Sequence, residues 1–207
     1  MDEYHKILTV YKRDPDNNYK TLLEGEFAIP EFEYLQDNEW EFTEKVDGTN
    51  VRVMLDGKYV RFAGKTDRAQ LHPHLVVALN TLFPVDKLYS VFEDDRVCLY
   101  GEGYGSKIQS GGKYRSDQGF VLFDVKVGDW WLRRKDVEDI AEKLGINIVP
   151  GIGHGTLLKM VEMAQRGFIS AWGNFIAEGI VARPTVELFA RNGNRIITKI
   201  KYKDFAR

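Results

Sequence analysis

The sequence predicts an α+β fold in which mainly antiparallel sheets carry flanking helices. Three observations support this class. Strand-like segments rich in apolar, aromatic and β-branched residues flank glycine-bearing turns at Asp56-Gly57, Gly128-Asp129 and Asn192-Gly193. Three further segments carry the 3.6-residue period of amphipathic helices. Strands and helices do not alternate as regular βαβ units, so a doubly wound parallel sheet is not expected.

Taken in order, Val51, Val53 and Leu55 alternate with Arg52 and Met54, and Tyr59, Val60 and Phe62 resume beyond the turn. Leu71, Leu75, Leu79 and Leu82 share one stripe and predict the first helix. Phe120 to Leu132 is rich in aromatic and β-branched residues, predicting a hairpin. Val137, Ile140, Ala141 and Leu144 predict a second helix that stops at Gly145. Thr156 can cap a third, with Leu157, Leu158, Val161 and Ala164 on its apolar face and an end near Gly167. Leu188 to Tyr202 closes the chain as a hairpin. The helices read as packing elements.

The chain has 207 residues, 43% hydrophobic and 29% charged, enough to bury a core without disulfides or a structural metal. That composition excludes long-range disorder, and no run approaches the ~18 apolar residues of a membrane span. The start, Met1 to Lys6, lacks a signal peptide's apolar centre. Cys98 is the single cysteine, so an internal disulfide and a four-cysteine zinc site are excluded, and a reducing, cytoplasmic compartment is expected. The formal charge is −2, yet residues 183–207 hold seven basic side chains against Glu187 and Asp204. A basic segment on an acidic body suits an anionic partner, or is simply a solvated strand.

Four segments carry chemistry. Glu44-Lys45-Val46-Asp47-Gly48-Thr49-Asn50 places a lysine at a strand end before a tight turn. Lysine attacks only as the neutral amine, so its pKa must fall from about 10.4 towards 7. The strand Arg195 to Lys203 supplies a means, because period two sets Lys199, Lys201 and Lys203 on one face. A cation ~6 Å from Lys45, at an effective dielectric of ~20, would cost the ammonium form about 2.8 kcal/mol. Tyr100-Gly101-Glu102-Gly103 places an acid among glycines that let a ligand approach, and Glu178-Gly179-Ile180-Val181-Ala182-Arg183 opens a strand with another. Such oxygen donors suit Mg²⁺ rather than zinc. The loop Ser106 to Ser116, with Lys107, Lys113 and Arg115, can follow a nucleic-acid backbone or stay a mobile polar loop.

In this order, Lys45-Val46-Asp47-Gly48, Tyr100-Gly101-Glu102, Phe123-Asp124, Glu178-Gly179-Ile180-Val181 and Lys199-Ile200-Lys201 resemble the motifs of the covalent nucleotidyltransferases, the family of polynucleotide ligases and messenger-RNA capping enzymes. Residues 41 to 205 carry the resemblance. It is closest to the RNA ligase branch typified by RNA ligase 2 of bacteriophage T4, on Glu44-Lys45, Gly48-Thr49-Asn50, Gly105 with Ile108-Gln109, and Arg191 to Arg195. The resemblance implies an antiparallel-sheet nucleotidyltransferase (ATP-grasp-like ligase) domain with flanking helices.

It also implies site roles. Lys45 attacks the ATP α-phosphate and holds AMP, and Glu44 contacts the adenine region. Asn50 organises the metal's water shell, Glu102 binds the ribose, and Phe123 stacks on adenine. Asp47 and Glu178 serve the metal (Mg²⁺ or Mn²⁺), Glu178 also assists lysine activation, and Lys199 and Lys201 grip the α-phosphate. Lys65 stands where the phage ligase has an arginine, with Arg68 nearby, so its phosphate contact lacks the bidentate fork. Arg68 and Arg183 are assigned to nucleic acid. The implied activity is an ATP-dependent RNA ligase sealing RNA 5′-phosphate and 3′-hydroxyl ends, with nicked duplex as substrate and no membrane partner. An ATP-dependent DNA nick ligase and a catalytically silent nucleic-acid end-binding module are the alternatives. The chain ends six residues past Lys201, which sets the expectation of one nucleotidyltransferase domain over 1–207, without the family's separate C-terminal domain.

Overall fold

The computed structural model describes residues 3–93 and 96–205; Arg207 of the basic segment lies outside them. The chain begins with β1 (Leu8–Thr9), β2 (Tyr11–Arg13), β3 (Leu22–Phe27), α1 (Pro30–Tyr34) and β4 (Trp40–Lys45). Its middle forms β5 (Thr49–Asp56), β6 (Tyr59–Ala63), α2 (Pro73–Leu82), α3 (Val85–Phe92) and β7 (Val97–Gly105). There follow β8 (Gln118–Val127), β9 (Trp130–Trp131), α4 (Arg134–Leu144) and β10 (Asn147–Ile148). It closes with β11 (Gly151–Gly155), α5 (Leu157–Arg166), β12 (Gly179–Pro184) and β13 (Thr198–Lys201). These elements form two compact units: a terminal unit of His5–Val46 with Pro150–Arg207, and a central unit of Met1–Tyr4 with Asp47–Val149.

The terminal unit holds a five-stranded sheet in the order β1-β13-β12-β4-β11 and a separate β2–β3 pair. Every pairing is antiparallel except β1 on β13. On β4 the period of two decides the faces. Trp40 and Phe42 are fully buried in the core with Glu44 in line behind them, while Thr43 and Lys45 take the other face. α5 buries Leu157, Val161 and Ala164 in the same core as expected, but Met160 joins them and Leu158 is exposed; Thr156 caps the helix by accepting from the Lys159 N–H at 3.2 Å, as the sequence predicts. The turn at Asn192-Gly193 forms, but its ladder shrinks to a single bridge between Phe189 and Arg195. β13 stops at Lys201 because the Asp204 carboxylate accepts from the Lys201 N–H at 3.0 Å and starts a 3₁₀ turn. Lys203 is therefore exposed on that turn and not on the strand face shared by Lys199 and Lys201.

The central unit is built on the strand order β10-β8-β7-β5-β6, with β9 added to β8. Here only β10 on β8 is parallel. α2, α3 and α4 bury Leu75, Leu79, Leu88, Phe92, Val137, Ile140, Ala141 and Leu144 against Val51, Val53, Leu99 and Leu122 of the sheet. The first hairpin turns at Gly57-Lys58, one residue later than the sequence suggests, because Asp56 pairs with Tyr59. The second turns at Gly128-Asp129 as expected, with Val127 opposite Trp130. α1 and α3 escape sequence analysis, since five and eight residues are too few to display a 3.6-residue period.

Candidate functional site

Lys45 ends β4, and its register partner on β12 is Gly179, which in turn faces Lys201 of β13. Paired residues of an antiparallel sheet share a face, so Lys45, Lys201 and Lys199 all stand on the side opposite the core. Gly179 leaves a gap between the two terminal lysines, and no other residue fits there: a Cβ would lie 2.1 Å from the Ile200 carbonyl oxygen. Glu178, one residue upstream, fills that gap with its carboxylate. Lys45 Nζ donates to Glu178 Oε2 at 2.7 Å, and Lys201 Nζ forms an ion pair with Oε1 at 2.6 Å, off hydrogen-bonding angle. Lys45 Nζ also reaches the Val46 carbonyl at 3.4 Å. The sequence sets cations beside Lys45, and the resemblance assigns Glu178 to its activation; the structure brings that carboxylate between Lys45 and Lys201. At the Lys45 end of this face, three lysines outnumber the Glu178 carboxylate, an arrangement suited to a polyphosphate.

Glu44 occupies the opposite face. Its Oε1 accepts from the Ser170 hydroxyl at 2.5 Å and its Oε2 from the Ala171 N–H at 2.8 Å. Those contacts tie β4 to a turn that ends two residues before Glu178, where Ile169 bridges Ile176. Ser170 was not singled out from the sequence, although a serine opening an Ala-Trp-Gly-Asn run is a turn signal. Arg183 is only 8% exposed, on β12 opposite Glu41 of β4, so it is not offered to a strand of nucleic acid at the surface.

The chain passes from the terminal to the central unit between Val46 and Asp47. The Asp47 N–H donates to the Tyr114 hydroxyl at 3.2 Å, and Asp47 Oδ2 accepts from the Ser110 N–H at 3.3 Å. The Ser106–Ser116 segment is thus folded onto this turn. Gly48 has no room for a side chain, since a Cβ would sit 2.3 Å from the Gly103 carbonyl oxygen. The glycines beside Glu102 serve packing and not ligand approach: a Cβ on Gly101 would strike the Phe120 ring, and one on Gly103 would strike Leu75. Asn50 on β5 and Glu102 on β7 are register partners. Phe123 lies at a β-bulge, because Tyr100 pairs with Asp124 and Gly101 with Leu122, so that the β7–β8 register skips Phe123. A bulge re-aims the side chain it carries. The Phe123 ring packs edge-on against Tyr4 at 5.1 Å, and Tyr4 also meets Tyr100 and Trp131 while its hydroxyl donates to buried Asp124 at 2.7 Å. Trp131 therefore packs, whereas Trp130 is 80% exposed. Nothing in the local pattern around Tyr4 signals this role.

Lys65 and Arg68 lie on the exposed loop after β6. The Arg52 hydrogen bond and charge hold the Asp67 carboxyl on that loop below its ordinary value. Arg115 does the same to Asp117, whose carboxylate in turn raises the Arg115 guanidinium. Among the described residues, no three His, Cys, Asp or Glu side chains form a metal cage. A Mg²⁺-like ion held mainly by substrate phosphates and water needs only one or two protein oxygens. The buried Asn50 Oδ1, which has no hydrogen-bond partner, is a donor of that kind, so the residues present fit such an ion.

A family model described as RNA ligase matches residues 38–202. Among solved structures, an apo mutant of an RNA ligase from Naegleria gruberi matches with a TM-score of 0.69 at 18% identity, covering 99% of this chain and 58% of that one. A second mutant of the Naegleria gruberi ligase, with ATP and manganese, gives 0.68 at 19% identity, with 99% and 60% covered. A third, with AMP and manganese, gives 0.67 at 19% identity, with 97% and 58% covered. These likenesses establish the fold. The chain spans less than two thirds of the length of those relatives.

Proposed function

Because the chain belongs to the RNA ligase family, as the match over residues 38–202 shows, we propose that it is an ATP-dependent RNA ligase working through an AMP-modified Lys45. The observation that carries this reading is the Glu178 carboxylate set between Lys45 at 2.7 Å and Lys201 at 2.6 Å. Glu178 is placed to accept the proton that Lys45 must lose before its nitrogen attacks the α-phosphate of ATP, with pyrophosphate departing. Lys201 and Lys199 on the same face offset the charge of the phosphate. Glu102 and Phe123 are assigned to the ribose and the adenine, and Glu44, through its backbone position, to the adenine region. By their motifs, Asp47 and Glu178 are assigned to a divalent ion, Mg²⁺ or Mn²⁺, and Asn50 to its water shell; such an ion would offset the charge of the phosphates.

AMP then passes to an RNA 5′-phosphate, and the adjoining 3′-hydroxyl displaces it to seal a nicked duplex. Lys65 and Arg68 are the exposed cations assigned to the donor 5′-phosphate and its strand. The Naegleria gruberi ligase structures with ATP, AMP and manganese support the choice of nucleotide and metal. The test is intact mass spectrometry after incubation with ATP and Mg²⁺. Gain of one AMP, mapped to Lys45 and reversed by pyrophosphate, is the expected result; no nucleotide adduct would leave a nucleic-acid end-binding module.

A further inference from the structure

Arg52 is a fully buried charge of the central unit that the reaction above does not use. It stands on β5 with Ala63 of β6 and Tyr100 of β7 as register partners. Its Nε donates to the Gly64 carbonyl at 2.9 Å and its Nη2 to Asp67 Oδ1 at 2.7 Å. One guanidinium therefore holds two points of the loop that follows β6, and the Ala69 N–H closes that loop on the Thr66 carbonyl at 3.1 Å. The Arg52 side chain is 0% exposed while that of Asp67 is 75% exposed, so the contact runs from the sheet interior to the loop surface.

Burying a guanidinium is costly, and a buried ion pair often adds no more stability than a packed apolar side chain. What Arg52 adds is geometry, because its planar fork presents donors in fixed directions. Lys65 stands between the two anchored residues and Arg68 directly after the second. Both are exposed, and among the described residues neither has a hydrogen bond or ion pair. Two unengaged cations on a tethered loop are available to an anion, and the tether fixes the backbone that carries them.

We propose that Arg52 and Asp67 are positioning residues that clamp the loop over residues 64–69 and so preorganise Lys65 and Arg68 for the donor 5′-phosphate. This rests on the role given to Lys65 and Arg68 under the proposed function. The sign of the effect separates the clamp from plain electrostatics. Asp67 puts a negative charge on the loop that carries both cations, so by charge alone its removal strengthens phosphate binding. The clamp requires its removal to weaken it.

The experiment compares Asp67→Ala and Asp67→Asn with Asp56→Asn, an equal charge change at the exposed end of β5. Amide hydrogen exchange across residues 63–69 reads the tether. Binding of nicked RNA duplexes with a 5′-phosphate or a 5′-hydroxyl reads the phosphate grip. In Asp67→Ala, exchange rises and affinity for the 5′-phosphate duplex falls about tenfold, the worth of one charged hydrogen bond. Asp67→Asn keeps an acceptor for Arg52 and recovers part of the loss, and Asp56→Asn matches the parent protein. Unchanged exchange in Asp67→Ala overturns the clamp whatever the substrate. Tighter binding by both Asp67 variants overturns it in favour of charge. Faster exchange in a protein whose parent form binds 5′-phosphate and 5′-hydroxyl duplexes alike overturns instead the role given to the loop.

Discussion

Lys45 is held by a carboxylate, and that contact decides what its substitutions do. Lys45→Ala removes the nitrogen and Lys45→Arg replaces it with a group that stays charged at any working pH. Both should give no AMP adduct by mass spectrometry, yet both should still seal ends that already carry AMP, a step that does not need the nucleophile. Glu178→Gln leaves two ammonium groups facing a neutral amide. Adenylylation should slow by about 10²–10⁴-fold, the usual contribution of a positioned base, in a single-turnover time course. A second residue-scale expectation concerns pH. The Arg115 hydrogen bond holds the Asp117 carboxyl below its reference value of 3.8. A depressed carboxyl stabilises the fold above its unfolded pKa and loses that contribution as pH falls through the folded one. Protection of the Ser106 N–H, which donates to the Asp117 carbonyl at 3.0 Å, should therefore persist at pH 5 and fade only below about pH 4. Fading already at pH 5 would detach that amide from the Arg115–Asp117 pair.

Among the elements, β12 has the least tolerance, because it brings Lys45 and Lys201 to one carboxylate. Gly179→Ala drives a methyl group into the β13 backbone and should separate the two strands. Overpacking of this kind costs about 1–3 kcal/mol, and the AMP adduct should be lost along with it; denaturant melts and mass spectrometry on one sample read both. α5 is capped and should respond only in stability. Thr156→Ala removes the acceptor for the Lys159 N–H and should cost about 1 kcal/mol, with adduct formation retained. Elements with a strong period, such as α2, α4 and α5, are legible in sequence because the period is written in adjacent turns. α1 and α3 are not, and neither is the bulge at Phe123, where the irregularity exists only as a mismatch between β7 and β8.

For the whole molecule, two separate cores carry the fold, one in each unit. Leu79→Ala empties a fully buried position in the central core and should cost about 2–5 kcal/mol in denaturant unfolding. The RNA contact proposed above should engage about three to five phosphates, since Arg183 is buried and Lys65 and Arg68 are the exposed cations assigned to it. For a duplex, log affinity should then fall with log salt at a slope of about −3 to −4.5; a slope beyond about −8 would reveal a much larger grip. The amino-acid sequence alone determined the α+β class, the three strongly periodic helices, the turn positions to within a residue, and the order of the motifs that name the family. Each of these is a local quantity, set by which residues neighbour one another along the chain. The tertiary structure decided the rest. Lys45 and Glu178 are 133 positions apart and Tyr4 and Asp124 are 120 apart, while Glu44 finds Ser170 across 126. Such partners are chosen by strand register and packing, and no periodicity along the chain encodes which distant residue will fill the gap beside a glycine.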